Sequence, residues 1–153
     1  MVPGVEVGAV NRVTRARKAI VAAINDSAIK TRLGVHAFHV IPDGGAALPV
    51  AFLELDVERP RKTRAVDSEL EFLLIVLVST SDSERAQELI DELVAGATSV
   101  RQVIEKDRTL NGAVTDIAVS ESRARGQLQL GGIDGWAREW RIRAQVTDHD
   151  IKE

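Results

Sequence analysis

The chain has 153 residues, enough for one ordinary domain around one core. It has no cysteine, which excludes disulfides and thiolate metal ligands, and its net charge of -3 argues against bulk attraction to nucleic acid or anionic membrane. Aromatic residues make up only 3%, with two Trp, three Phe and no Tyr, so the core must come from Val, Leu, Ile and Ala, and a base-stacking platform is not expected.

Residues 1–10 show no basic segment running into a long apolar one, so a secretory signal is not expected. Asn11 or Thr14 can cap a helix reaching about Thr31, with Val13, Ala16, Ile20, Ala23 and Ile24 at helical spacing and Gly34 as a stop. Its other side carries Arg12, Arg15, Arg17 and Lys18: a solvated face over a packed stripe, or a docking face for a partner protein.

Residues 35–41 read as a short strand, followed by the turn Pro42-Asp43-Gly44-Gly45. Residues 48–57 alternate, with Ala51, Leu53, Leu55 and Val57 on one face and Glu54, Asp56 and Glu58 on the other. A charged, proline-broken connection follows. Residues 69–79 are apolar on both faces, as a central strand would be. Together these two strands predict a long hairpin with the charged connection at its tip.

Ser81 with Glu84 makes a capping-box pattern for a helix whose stripe is Ala86, Leu89, Ile90, Leu93 and Val94, ended by Gly96. Thr98 or Ser99 caps a shorter helix carrying Val100, Val103 and Ile104, and Leu110-Asn111-Gly112 is a turn. Residues 113–121 read as a strand and residues 126–135 as a glycine-rich loop. Residues 136–146 read as a final strand, with Trp136, Trp140, Ile142, Ala144 and Val146 on one face and Glu139, Arg141 and Arg143 on the other. Parity puts Arg138 on the tryptophan side, near an open end. Both tryptophans should anchor the sheet to the helices.

The order α-β-β-β-α-α-β-β predicts an α+β fold: a mostly antiparallel sheet of four to five strands with about three helices on one face. Residues 1–153 are expected to form a single domain, flexible at 1–10 and 147–153. The longest apolar run, residues 72–78, falls far short of the ~20 residues a spanning helix needs. A soluble protein made in a cytoplasm is the expectation.

Catalytic chemistry finds little purchase. His36 and His39 are an odd number of residues apart in a strand, so they point to opposite faces and share a metal poorly. There is no G-x-S-x-G elbow. The carboxylate pairs Glu54 with Asp56, Glu69 with Glu71, and Asp91 with Glu92 lie where solvated charge is expected. Gly44-Gly45 and the cluster Gly131, Gly132, Ile133, Asp134 and Gly135 lead into strands, whereas a phosphate cradle leads into a helix. No catalytic residue, cofactor or metal ligand is therefore assigned.

Interaction candidates are clearer. One is the basic tip, Arg59, Arg61, Lys62 and Arg64; repeated around a ring axis, it would form a collar of charge. A second is the loop Gly131 to Gly135. A third is a pair of strand faces of opposite sign: Glu54, Asp56, Glu69 and Glu71 against Arg138, Arg141 and Arg143. Such faces suit head-to-tail contact between identical subunits, or cross-strand pairing within one sheet.

The layout carries a resemblance. An amphipathic helix leads through a short strand and a Pro-Asp-Gly-Gly turn into a long hairpin ending in Glu69-Leu70-Glu71-Phe72-Leu73-Leu74-Ile75-Val76-Leu77-Val78. A capped helix follows from Ser83 to Leu93. Then Ser99-Val100-Arg101-Gln102-Val103-Ile104 precedes Leu110-Asn111-Gly112-Ala113-Val114, and a Trp/Arg strand closes the chain. Over residues 13–146 this resembles the tail-terminator, or tail-completion, proteins of long-tailed bacteriophages, the group of the lambda tail terminator. The resemblance implies an α+β virion subunit, made in the bacterial host cytoplasm, that assembles as a hexameric ring on the head-proximal end of the tail. The ring would stop tube polymerisation and offer the head-side joining surface. Implied partners are further copies of the chain, the tail tube protein and the head–tail connector or neck proteins, with DNA passing only in transit and no membrane. It implies no enzyme and no cofactor. A head-closure or neck protein is the alternative in the same particle; a tube subunit fits the helix content less well. A small ligand-binding or enzymatic α+β domain is the alternative outside it.

Overall fold

The structure, a computed structural model, describes residues 11–40, 47–60, 68–130 and 132–147. Helix α1 (Arg12–Asn25) starts where the Asn11 side chain accepts hydrogen bonds from the N–H of Val13, at 2.7 Å, and of Thr14. Its buried stripe is Ala16, Ile20, Val21 and Ile24. The helix does not continue to Thr31 as its spacing suggests. Asp26 caps it, and the Ser27 side chain opens a separate short helix, α2 (Ala28–Thr31), by accepting from Ile29 N–H at 3.1 Å. Polar side chains that bond the nearby backbone compete with helix continuation, which explains the break.

Strands β1 (His36–Phe38), β2 (Val50–Pro60) and β3 (Ser68–Val78) follow, then helices α3 (Ser83–Ala95) and α4 (Val100–Glu105), then strands β4 (Asp116–Leu130) and β5 (Ile133–Val146). They form one five-stranded mixed sheet in the order β1-β2-β3-β5-β4, parallel between β1 and β2 and antiparallel elsewhere. The fold is α+β, in the element order read from the sequence. β3 is the central strand, buried at every position. The cap of α3 is Asp82, which accepts from Arg85 N–H, and not Ser81. Ser99 caps α4.

The helices cover one face of the sheet. There Ile20, Ile24, Leu93 and Ile104 pack on Leu70, Phe72, Leu74, Trp140 and Ile142. Among the described residues, no helix covers the other face. Its upper half holds a second apolar cluster, Val50, Phe52, Leu73, Ile75, Leu77, Ile133 and Ala137.

Two further expectations fail at specific residues. The alternation of β2 is interrupted by a bulge between Leu55 and Val57. Beyond it Val57 and Arg59 stand opposite Glu71 and Glu69, while Glu58 turns to the helix side and accepts from Ser68 Oγ at 3.0 Å. Residues 126–135 are also not a loop. β4 runs to Leu130 and β5 starts at Ile133, so only residues 131 and 132 lie between them. The glycines mark backbone requirements inside a hairpin. Gly132 turns with φ 81°, Gly126 sits at a bulge with φ 76°, and a Cβ on Gly135 would lie 2.6 Å from the carbonyl oxygen of Val78.

Among the described residues, no helix is long and apolar enough to cross a membrane.

Candidate interaction surface

The lower half of this second sheet face is built from charges. β5 lies between β3 and β4, so its arginines meet carboxylates from both sides. Arg143 stands opposite Glu71, and Arg141 opposite Glu121. Arg141 is the hub. Its guanidinium lies 2.9 Å from Asp56 Oδ2, 3.4 Å from Glu71 Oε1, 3.7 Å from Glu121 Oε2 and 4.0 Å from Glu139 Oε2. The hydrogen bond to Asp56, with the charges of Glu71 and Glu139, holds the guanidinium above its ordinary pKa against the cost of burial. Arg143 reaches Glu71 at 3.5 Å and Glu69 at 3.8 Å, Arg59 reaches Glu71 at 3.5 Å, and Arg125 pairs with Glu139 at 2.5 Å.

The layering matters. The side chains of Glu71 and Glu139 are 5% exposed, whereas those of Arg143 and Arg59 are 53% and 48% exposed. Carboxylates form the floor and guanidiniums the lid. The reading of an exposed acidic hairpin face opposed to a basic strand therefore needs correction. Glu69 and Glu71 are buried, because the final strand lies beside β3 in the same sheet and the two sets neutralise each other. Glu54 and Asp56 remain exposed at the margin.

The other candidates are dispersed. Of the basic tip, Arg59 joins this network, and Arg61, Lys62 and Arg64 lie outside the described residues. Of the glycine cluster, Gly131 lies outside them, Gly132 and Asp134 are exposed, and Ile133 and Gly135 are buried. Arg138 takes the Trp140 side, as parity requires, where it donates to Ser122 Oγ at 2.8 Å. Trp136 shares that face yet is 49% exposed, beside a groove of about 260 Å³ between α3 and the β4–β5 hairpin. It does not anchor the sheet to the helices. The basic side of α1 is only partly solvated: Arg12 donates to Ser68 Oγ at 3.0 Å and Arg15 to the Gly112 carbonyl at 3.4 Å.

Sequence reasoning missed Glu121 and Arg125 as members of the network. The bulges at Val119/Glu121 and Ala124/Gly126 reset the parity of β4, and only Gly126 hinted at them. His36 is exposed and stacked on Phe38 at 4.3 Å between ring centroids, and the described residues hold no cluster of His, Asp or Glu placed for a metal. No family model matches the chain, and no curated protein matches it in sequence.

Proposed function

We propose that this chain is a structural subunit that caps the head-proximal end of a bacteriophage tail tube as a ring of identical copies. The ring ends tube polymerisation and forms the surface that neck proteins join. The element order and the segment from Thr98 to Val119 support the reading, through their resemblance to tail-terminator proteins. The observation that carries it furthest is the charged half of the second sheet face. A protein surface that must be covered by another protein pays for every charge it leaves unpaired. Here each buried carboxylate already has its arginine, and the arginines stay partly exposed to bond outward. Such a face can be buried against a neighbour without isolating charge, and its polar lid gives register to the contact.

Electron microscopy of tails assembled without the protein tests the reading. Overlong tubes that fail to join heads are expected. Tubes of normal length that still fail to join heads would favour a neck or head-closure role. Normal tails and normal joining would sink both.

A further inference from the structure

The edge of β4 is guarded along one half and open along the other. Among the described residues, the order of the sheet leaves both β1 and β4 without a strand on their outer sides. An unpaired edge invites a further strand, and folded chains block it with side-chain caps, bulges and charges. The lower half of β4 has all three. Glu105 of α4 accepts from the Val119 N–H at 2.8 Å, bulges interrupt the strand at Val119/Glu121 and Ala124/Gly126, and Glu121, Arg123 and Arg125 are charged. The upper half, Gly126 to Leu130, carries no charge, no proline and no bulge beyond Gly126.

That half is also self-complementary. Leu130 and Ile133 are the last register partners of the hairpin, three positions apart in sequence, and the closing pair of so short a connection exchanges hydrogen bonds. Alternation then assigns Leu128 and Gly126 to the same inner ladder and turns the N–H and C=O of Gln127 and Gln129 outward. A second copy running antiparallel, with Leu128 facing its equivalent, sets Gln127 opposite Gln129 twice. All four outward groups on each strand are then satisfied, with no like charges opposed. The same pairing covers Leu128 and Leu130, which are half-buried on the second apolar cluster, and makes that cluster continuous between copies.

We propose that residues 126–130 form a two-fold, strand-to-strand contact between two copies of this chain, joining their sheets into one. The inference does not depend on the tail reading. It is tested by the full chain in sedimentation velocity, with two double variants. In the wild type a paired species is expected. Q127K/Q129K sets lysine against lysine at both positions and should halve the mass. Q127E/Q129K sets glutamate against lysine in this register alone and should keep the pair, which also shows that substitution here is compatible with folding. Amide exchange at Gln127 and Gln129 should be slow in the paired species and fast in Q127K/Q129K. A wild type that stays single at every concentration overturns the proposal. So does an assembly mass unchanged in Q127K/Q129K, or lost in both variants. An assembly unchanged in both variants that still caps tubes would reject this contact and leave the tail reading standing.

Discussion

The side chain of Asn25 closes the outer edge of β1 by imitating a neighbouring strand. Its amide nitrogen donates to the Ala37 carbonyl and its amide oxygen accepts from the Ala37 N–H, both at 2.9 Å. The residue that ends α1 thus satisfies both edge groups of the middle residue of a three-residue strand. Asn25→Ala leaves both groups without a partner in a part-buried site, which costs about 1–3 kcal/mol. Urea unfolding should show a lower midpoint with an unchanged slope. An unmoved midpoint would mean that solvent serves the edge equally well.

The charged floor predicts a non-additive pair. Arg141→Met strips the hub from Glu71 and Glu139 and should destabilise by about 1–3 kcal/mol, less than for a fully buried pair because Arg59 and Arg143 also lie against Glu71. Adding Glu71→Gln removes the charge that the first change exposed. The double variant should lose less than the sum of the two single losses, and a double-mutant cycle measures the difference. Strict additivity would show that the contacts do not act as a network.

How far the sequence was legible depends on periodicity. β3 could be read because apolar residues on both faces have few explanations other than a central strand. The stripe of α1 could be read from its helical spacing, and that of α3 in part: Leu93 is buried, Ala86, Leu89 and Ile90 are half-buried, and Val94 is exposed. What broke the reading were single extra residues. A bulge at Asp56 reversed the faces of Val57 and Glu58, and bulges in β4 hid Glu121 and Arg125, because one inserted residue shifts every later side chain. The glycines at 126, 132 and 135 suggested a loop, yet two supply positive φ and one makes room for the Val78 carbonyl. Cross-strand pairing of Arg143 with Glu71 depends on β5 lying next to β3, which is topology and not local pattern.

Two aspartates contribute to the response to acid. Asp107 accepts from the N–H of Asn111 at 2.8 Å and of Thr109 at 3.1 Å, and these bonds hold its carboxyl below the usual carboxylate range. The Arg108 guanidinium, at 2.9 Å, does the same to Asp116. A carboxylate whose pKa is lower folded than unfolded stabilises fully above the unfolded value of about 4, and loses that contribution as pH falls through the folded value. Stability should therefore rise with pH across the acid range. Asp107→Asn should be the less stable protein at pH 7, with the gap to wild type closing as the pH falls below the carboxylate range. Parallel stability curves for the two proteins would refute the assignment.

The two glycines at the top of the hairpin should respond differently. A Cβ on Gly135 meets the Val78 carbonyl oxygen at 2.6 Å, so Gly135→Ala must push β5 from β3 and should cost about 1–3 kcal/mol. Gly132 has open space around it and only its φ of 81° to satisfy, so Gly132→Ala should cost about 1 kcal/mol and Gly132→Asn less. The order of the three unfolding midpoints checks this. Gly132→Ala as the worst of them would place the constraint in the turn instead of the sheet.

The tryptophans give the last contrast. Trp140 is 2% exposed, within the main core against the helices, and Trp136, four residues earlier on the same face, is 49% exposed. Parity makes them equals; position along the strand separates them. Trp136 pairs with Val78, at the end of β3, where α3 leaves a groove instead of a packed layer. Trp140→Ala opens a cavity in the core and should cost about 3–5 kcal/mol. Trp136→Ala changes a half-solvated site and should cost under about 1 kcal/mol. In the single-tryptophan variants Trp136→Phe and Trp140→Phe, acrylamide should quench only the fluorescence of the protein that retains Trp136. Equal quenching in the two would mean that α3 does not hold its place over the sheet in solution. In that case the groove beside Trp136 would be part of a larger opening of the helix layer.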